Sequence, residues 1–262
     1  MADGALPGGL TADEAGRELA ENANTYTPLG PGEERLATGR YVVWLGRVNH
    51  PSWTVAQRFR LQPSAVEAAR DEIHAALRER GRTGCTWEVG SSATPPDLVE
   101  RLLALGLVDD DEPLAVGMVL TEPPLHSKPE GVEVRRVTTA AEALEAARIA
   151  AVAFGMPEPV PAAVERDGRS ARYLAYVDGE PVAQATAIFT GHGACLFGGA
   201  TLPDARGRGA YRALVAARWE DAVARGTPLL VTQAGAQSRP ILERLGFRGV
   251  CRIRILRDLI AP

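Results

Sequence analysis

Apolar residues along this chain form two kinds of pattern, and the two kinds alternate from one end to the other. Short apolar or alternating runs predict strands at 41–48, 53–61, 86–89, 114–121, 132–137, 172–177, 181–190, 194–202, 229–233 and 249–257. Apolar residues at every third or fourth position predict amphipathic helices at 12–24, 64–80, 97–105, 139–154, 209–225 and 238–245. The mixture indicates a protein of the α+β class.

Local signals support several of these helix ends. Thr11 with Glu14, and Thr139 with Glu142, have the capping-box spacing that starts a helix. Gly226 follows the helix of 209–225 and is expected to end it. One face of that helix is expected to be apolar and buried, with the residues Leu214, Val215, Trp219, Ala222 and Val223.

Segments rich in proline and glycine divide the chain into parts. We expect an N-terminal helix and linker, a first domain, a second linker and a second domain, at 1–34, 35–121, 122–131 and 132–262 respectively. Within the first domain, Asp109–Glu112 is expected to be an acidic turn that precedes a strand.

The two domains resemble each other in sequence. Residues 99–107 end in Leu-Gly-Leu, residues 240–247 end in Leu-Gly-Phe, and each segment precedes a final strand. Before its long helix the first domain has Pro63, which lacks an N–H group, where the second domain has a glycine-rich turn. We therefore expect the first domain to be a degenerate copy of the second.

Composition excludes several classes of protein. The chain has 262 residues, is 45% hydrophobic and 24% charged, and carries a net charge of −4, which is typical of a soluble globular protein. It has no long basic stripe, membrane-length apolar run or signal-peptide pattern, so we expect a cytoplasmic protein without a nucleic-acid or membrane surface. The three cysteines, Cys85, Cys195 and Cys251, are far apart and lack metal-site spacing to the histidines. They favour core packing in a reducing compartment, with no metal site.

A turn rich in glycine and arginine lies between a predicted strand and a long predicted helix, where residues 201–211 read TLPDARGRGAY. Backbone N–H groups at a helix start, together with the helix dipole, bind phosphate. Gly207 and Gly209 have no side chain that would keep an anion away, and Arg206 and Arg208 add positive charge. The pattern predicts a diphosphate-binding loop.

The loop has neither the Gly-x-x-x-x-Gly-Lys-Ser/Thr motif of phosphate loops nor the Gly-x-Gly-x-x-Gly motif of dinucleotide-binding folds. Its order of residues resembles the coenzyme A loop of the GNAT acetyltransferase superfamily. Arg206, Gly207, Arg208, Gly209 and Ala210 are in register with the family pattern, and Tyr211 stands where the family has a small residue. The ending Leu245-Gly246-Phe247 and the order of elements extend the resemblance over about 132–258.

The resemblance implies two GNAT-like halves, each with a central, mostly antiparallel sheet flanked by helices. It also implies acetyl-CoA, or another acyl-CoA, as co-substrate. The implied contacts to this co-substrate come from the strand, the loop and the start of the last helix, with the residues Ala200, Thr201, Leu202, Arg206, Gly207, Arg208, Gly209, Ala210, Tyr211 and Ser238.

Proton transfer is less clearly assigned by the sequence. Family members often carry an acid on the strand before the loop, but 194–202 contains none. Glu158, His192 and Glu165 are candidates for the proton acceptor, and a solvated surface role is the alternative for each. The tyrosine that the family uses to protonate the leaving thiolate falls on Leu242, so that proton donor is missing.

The acceptor pocket has three candidate residues. His50 and Trp53 follow a predicted strand of the first domain, and Gln233 ends a predicted strand of the second. Core packing is the alternative interpretation of Trp53.

These observations together favour an N-acetyltransferase that acts on a primary amine of a small molecule. A noncatalytic acyl-CoA-binding or regulatory protein is one alternative, and acetylation of a protein or peptide amine is another. We expect a monomer, because one chain supplies both halves of what would be a dimer in the family.

Overall fold

The computed structural model of the chain describes residues 6–125, 129–156, 159 and 168–260. The helices in chain order are α1 Ala12–Glu21, α2 Ala23–Tyr26, α3 Val66–Glu79, α4 Leu98–Ala104, α5 Ala140–Phe154, α6 Ala210–Ala224 and α7 Arg239–Arg244. The strands are β1 Glu34–Ala37, β2 Val42–Leu45, β3 Thr54–Gln57, β4 Gly84–Gly90, β5 Val108–Leu120, β6 Val132–Arg136, β7 Ser170–Val177, β8 Glu180–Phe189, β9 Ala194–Thr201, β10 Leu230–Ala234 and β11 Arg248–Leu259. The predicted α+β class with mixed, mostly antiparallel sheets is confirmed.

The capping boxes predicted from the sequence are present. In α1 the Thr11 hydroxyl accepts from the Glu14 N–H, and the Glu14 carboxylate accepts from the Thr11 N–H. Thr139 and Glu142 form the same reciprocal pair at the start of α5. These bonds satisfy N–H groups that a helix cannot pair internally, so the sequence sets these helix starts locally.

The chain divides into two compact units. The first contains residues 1–118, 233–239 and 249–262, and the second contains 119–232 and 240–248. The domains predicted from the sequence are contiguous segments based on the internal repeat, whereas these units are groups of residues that lie together in space. The predicted domain boundaries therefore stay a prediction.

Strands of the first unit lie in the order β1-β2-β3-β4-β11-β5. The pairs β1–β2, β2–β3 and β4–β11 are antiparallel, whereas β3 and β4 are parallel. The core of the unit lies between the sheet and the helices α3 and α4, where the Trp87 ring stacks on Phe59 with their centroids 5.1 Å apart.

Strands of the second unit lie in the order β10-β9-β8-β7-β6. The pairs from β6 to β9 are antiparallel, and β9 and β10 are parallel. Leu174 packs with Ala146 and Ile149 of α5, whereas the neighbouring Tyr173 bonds to Asp221 of α6. Because successive side chains of a strand point to opposite faces, α5 and α6 cover opposite faces of this sheet.

The predicted acidic turn at Asp109–Glu112 is wrong, because these residues belong to β5. Asp109 accepts a hydrogen bond of 2.9 Å from the Arg254 Nε of β11, and Asp111 accepts one of 2.9 Å from Arg257. The arginines neutralise the acidic side chains across strands, which lets a run of like charges remain extended.

The structure differs from the sequence predictions at three further places. β1 was not predicted, because its four residues are too short and too polar to give a strand pattern. The predicted helix at 12–24 is interrupted at Asn22, which separates α1 from α2. Val223, predicted to be buried on α6, is 48% exposed, and Arg218 lies buried on that helix instead.

The three cysteines are buried and free, as predicted. Burial raises the pKa of the Cys195 thiol to about 12 and also raises the pKa of Cys85 and of Cys251. These thiols are therefore neutral near pH 7.

None of the helices in the described ranges is long and apolar enough to cross a membrane.

Candidate functional site

β9 and β10 part from each other shortly after they begin. Their parallel register consists of Leu230 opposite Ala194 and Val231 opposite Cys195. Beyond that point β9 continues with Gly198 and Gly199, which are exposed. A register shift against β8 falls at these glycines, and Gly198 has a φ of 58°, which glycine adopts without strain. The result is an open stretch of β9 main chain.

The predicted loop follows this strand directly. A single 3₁₀ turn at Pro203–Ala205 leads into it, and α6 starts at Ala210. Gly207 has a φ of 81° and Gly209 a φ of 92°, both in the left-handed region. Residues with a Cβ rarely adopt this conformation, so glycine is needed for the chain to turn into the helix in this way.

The N–H groups of this loop are available to a ligand. For none of the six N–H groups from Gly207 to Arg212 do the described hydrogen bonds include a protein acceptor, and no side chain caps α6. Gly207 and Arg208 are exposed. Free N–H groups at the positive end of a helix of 15 residues form an anion site. The geometry therefore suits a diphosphate.

The loop arginines differ in their partners. Arg208 donates to the carboxylate of Asp178, which lies in the turn between β7 and β8, and its side chain is 47% exposed. Arg206 is also exposed. Arg206 directly precedes the row of N–H groups in the chain and Arg208 lies within it, and Arg208 is paired with an acid.

Tyr211, the departure from the family pattern, is accommodated by a glycine on the strand. A Cβ added to Gly199 would lie 2.6 Å from the Tyr211 Cε2, so the ring occupies the space of the missing side chain. The Tyr211 N–H remains among the six free groups. The bulky residue thus changes what packs beneath the loop and leaves the main-chain donors in place.

Gly209 is closely packed as well as specially folded. A Cβ at this position would lie 2.6 Å from the Cβ of Pro129 and 3.1 Å from a terminal nitrogen of Arg212. Pro129 belongs to the segment that the sequence predicted as the second linker. By contrast, a Cβ on Gly207 would meet no atom within 4 Å.

Of the three candidates for the proton acceptor, the structure describes only His192. Glu158 and Glu165 lie outside the described residues. His192 is exposed in the turn before β9, and its N–H bonds to the Thr190 hydroxyl. The loop follows the other end of β9, a strand of eight residues, which separates them by about 25 Å at 3.3 Å per residue.

The acceptor candidates lie in the first unit. His50 is exposed, and its Nδ1 accepts from the Ser52 N–H, so it caps a 3₁₀ turn. The Trp53 ring stacks on Trp44 with their centroids 6.3 Å apart. Gln233 donates to the Glu88 carboxylate at 3.1 Å. The structure does not bring His50 and Gln233 into direct contact in any described bond, and their binding role stays a prediction.

The first unit has no comparable loop after β3. Arg58, with a φ of 58°, donates to Glu18 at 3.1 Å, and Arg60 lies 3.7 Å from the same carboxylate. Pro63 starts the next 3₁₀ turn and offers no N–H. The positive charges here are already paired with Glu18 of α1. The expectation that this half does not hold coenzyme A in the same way stays a prediction.

Sequence reasoning missed one residue near the loop, Arg218. It lies on the inner face of α6 and is 1% exposed. Its burial could have been predicted from its spacing, because a residue four positions after Leu214 lies on the face of α6 that was predicted to be apolar. Leu242, where the family has a tyrosine, is also buried at 1% exposure, so α7 supplies no hydroxyl at that position.

Ser238 is the last of the residues predicted to contact the co-substrate. Ser238 directly precedes α7 and is partly exposed, and its cofactor contact stays a prediction. Within the described ranges, no group of three or more His, Cys, Asp or Glu side chains is arranged to hold a metal ion.

Comparison with known proteins bears on the second unit and on the fold. Residues 142–247 match the sequence model of the acetyltransferase (GNAT) family. No curated protein sequence matches the chain at a significant level. A solved GCN5-related N-acetyltransferase from Kribbella flavida is similar with a TM-score of 0.72 and 21% identity, over 96% of each chain.

Two further solved structures share the fold. A tandem GNAT protein from the clavulanic acid biosynthesis pathway, solved without AcCoA, has a TM-score of 0.59 and 16% identity over 93% of this chain and 88% of its own. A GCN5-related N-acetyltransferase from Sphaerobacter thermophilus has a TM-score of 0.60 and 18% identity, over 87% of this chain and 83% of its own. The chain therefore resembles the GNAT family over residues 142–247, and its fold is similar to that of a solved GCN5-related N-acetyltransferase over nearly its whole length.

Proposed function

We propose that this protein is an N-acetyltransferase that moves an acetyl group from acetyl-CoA to the primary amine of a small molecule. The observation that carries the proposal is the row of six N–H groups from Gly207 to Arg212 at the start of α6, none of which has an acceptor among the described hydrogen bonds. Such a row fits a diphosphate. The family match at 142–247 makes coenzyme A the favoured owner of that diphosphate.

The residues of β9 and the loop would hold the co-substrate along its length. The loop N–H groups and Arg206 would bind the diphosphate, and the main chain at Ala200–Leu202 would line the pantetheine arm. The open main chain at Gly198 and Gly199 would face the acyl end. When bound, acetyl-CoA supplies the thioester carbon that the amine attacks.

The amine must be neutral when it attacks that carbon. A lysine-like amine has a pKa near 10.4, so deprotonating it at pH 7 costs roughly 4–5 kcal/mol. β9 carries no ionisable side chain other than the buried, neutral Cys195. A group from outside β9, or a chain of water molecules, must therefore accept the proton.

A second candidate function is that of a noncatalytic acyl-CoA-binding protein. Two observations favour it: Leu242 replaces the expected tyrosine, and β9 lacks an acid. Coenzyme A thiol is a good leaving group, so the missing tyrosine affects the rate more than the type of reaction.

The decisive experiment combines binding and turnover. We expect calorimetry to detect acetyl-CoA binding, and we expect free thiol to be released when a panel of small primary amines is added. The panel includes a peptide amine, and turnover of that member alone would favour a protein acetyltransferase. Binding with no turnover of any amine would favour the noncatalytic function, and no binding would exclude both. A monomer in light scattering is our further expectation.

Asp178→Asn is expected to tighten acetyl-CoA binding at low salt, because Arg208 would be freed for the phosphates. The expected gain is only about threefold, since exposed ion pairs contribute little free energy. The measurement is the dissociation constant by calorimetry. Glu180→Gln removes the same charge from the first residue of β8, directly after this turn, and serves as the control, since the described contacts of Arg208 do not include Glu180. Equal effects of both variants would mean that the pairing of Arg208 is irrelevant.

A further inference from the structure

Arg218 is a buried cation without a carboxylate partner among the described contacts. It is 1% exposed, and its Nε donates to the main-chain oxygen of Leu214 at 2.9 Å. One terminal nitrogen, Nη2, is buried and has no hydrogen-bond partner. A charge buried with an unpaired donor is costly, so its presence needs an explanation.

Asp221, one of the two acids on the same helix, is already bound by other groups. Asp221 accepts from Arg136 and from the Tyr173 hydroxyl. The Arg218 guanidinium carbon lies 5.9 Å from the centroid of the Tyr211 ring. Desolvation lowers the pKa of Arg218, and the neighbouring Tyr211 and Tyr173 oppose that shift. An arginine remains charged even when its pKa falls in this way.

The position of this charge relates it to the loop. Long side chains on a helix point toward its N-terminus, and Arg218 does so, since it bonds to Leu214 and lies beside Tyr211. Tyr211 is the second residue of α6 and belongs to the row of free N–H groups. The positive charge thus lies beneath the first turns of the helix, on the side away from solvent.

We propose that Arg218 is a positioning residue that strengthens diphosphate binding at the start of α6 through its buried charge, without touching the ligand. Its side chain lies in a medium that screens charge far less than water does, so its attraction for a diphosphate acts over several ångströms. It also supports the Tyr211 ring, which packs on Gly199. Arg218 thereby favours acyl carriers that have a diphosphate over those that end at pantetheine. This inference rests on the proposed function.

The test compares three variants by calorimetry. Arg218→Met removes the charge and keeps a long apolar side chain, a change that buried ionic sites often tolerate. We expect its dissociation constant for coenzyme A to rise at least about tenfold, with no change for pantetheine. Arg218→Lys keeps a charge and is expected to stay within about threefold of the wild-type protein. Arg225→Met removes a charge at the far end of α6 and is the control.

Each outcome separates this inference from the proposed function. Equal losses in the Met and Lys variants, or a parallel loss for pantetheine, would mean that Arg218 supports only the fold and would overturn the inference. Unchanged coenzyme A binding in Arg218→Met would also overturn it. Thermal unfolding checks the fold of each variant, and Arg218→Gln replaces the Met variant if that one does not fold. A wild-type protein that fails to bind coenzyme A would instead refute the proposed function.

Discussion

Gly207→Glu is expected to weaken acetyl-CoA binding by at least about a hundredfold, because it places a carboxylate among the N–H groups that would bind the diphosphate. The position suits this test, since a Cβ there would meet no atom within 4 Å. The φ of 81° adds a backbone strain of about 1–2 kcal/mol to any residue other than glycine. Gly209→Glu would act on the same site but would also collide with Pro129.

A matched variant separates the charge from the strain. Gly226 has a φ of 74° and also no neighbour within 4 Å of an added Cβ, but it lies at the other end of α6. Gly226→Glu should therefore lose similar stability and keep its affinity for acetyl-CoA. Calorimetry gives the affinities, and thermal unfolding gives the stabilities. Similar affinities in both variants would remove the loop from the binding site.

The second large effect is expected at Glu88, in the first unit. This side chain lies on β4, is partly exposed, and accepts a hydrogen bond of 3.1 Å from Gln233. Desolvation raises the pKa of its carboxyl to about 7, although the bond from Gln233 acts in the opposite direction. The folded protein thus binds this proton more tightly than the unfolded chain, in which the pKa is near 4.5.

The sign of the effect follows from that difference. The contribution of Glu88 to stability is fully present below pH 4.5 and is lost as the pH rises through 7. Glu88→Gln cannot ionise, so at pH 8 we expect it to be more stable than the wild-type protein by up to about 3 kcal/mol. Near pH 4.5 the two should be alike.

Denaturant unfolding at several pH values measures this difference. The exposed Glu100 on α4 offers the control, because Glu100→Gln makes the same chemical change without burial. A stability difference for Glu88→Gln that does not vary between pH 4.5 and pH 8 would contradict the assigned pKa. A lower stability at pH 8 would show that the charged carboxylate is held favourably.

The elements that the sequence predicted well are those with local causes. The start of α6 and its loop depend on Gly207 and Gly209, whose positive φ angles are a property of glycine itself. The start of α5 depends on Thr139 and Glu142, three residues apart. Such signals come from residues a few positions apart, so the local sequence is sufficient to predict where these helices start.

What the sequence did not predict depends on distant partners. Asp109 and Asp111 remain in a strand because arginines near residue 255 neutralise them, which nothing near residue 110 indicates. Arg218 is buried beside the ring of Tyr211, and that ring in turn packs on Gly199 of β9, a contact between elements that the local sequence does not indicate. The sequence could not group the acceptor candidates for the same reason, since His50 and Gln233 are 183 positions apart in the chain.

The path of β11 has a consequence for how the protein is made. Seven residues of this strand, Ile253–Leu259, pair with β4 in the first compact unit. A ribosome therefore has to synthesise residues 253–259 before the first compact unit can close. Until then the edge of β4 that pairs with β11 is unpaired. During that interval the nascent chain most needs protection from aggregation.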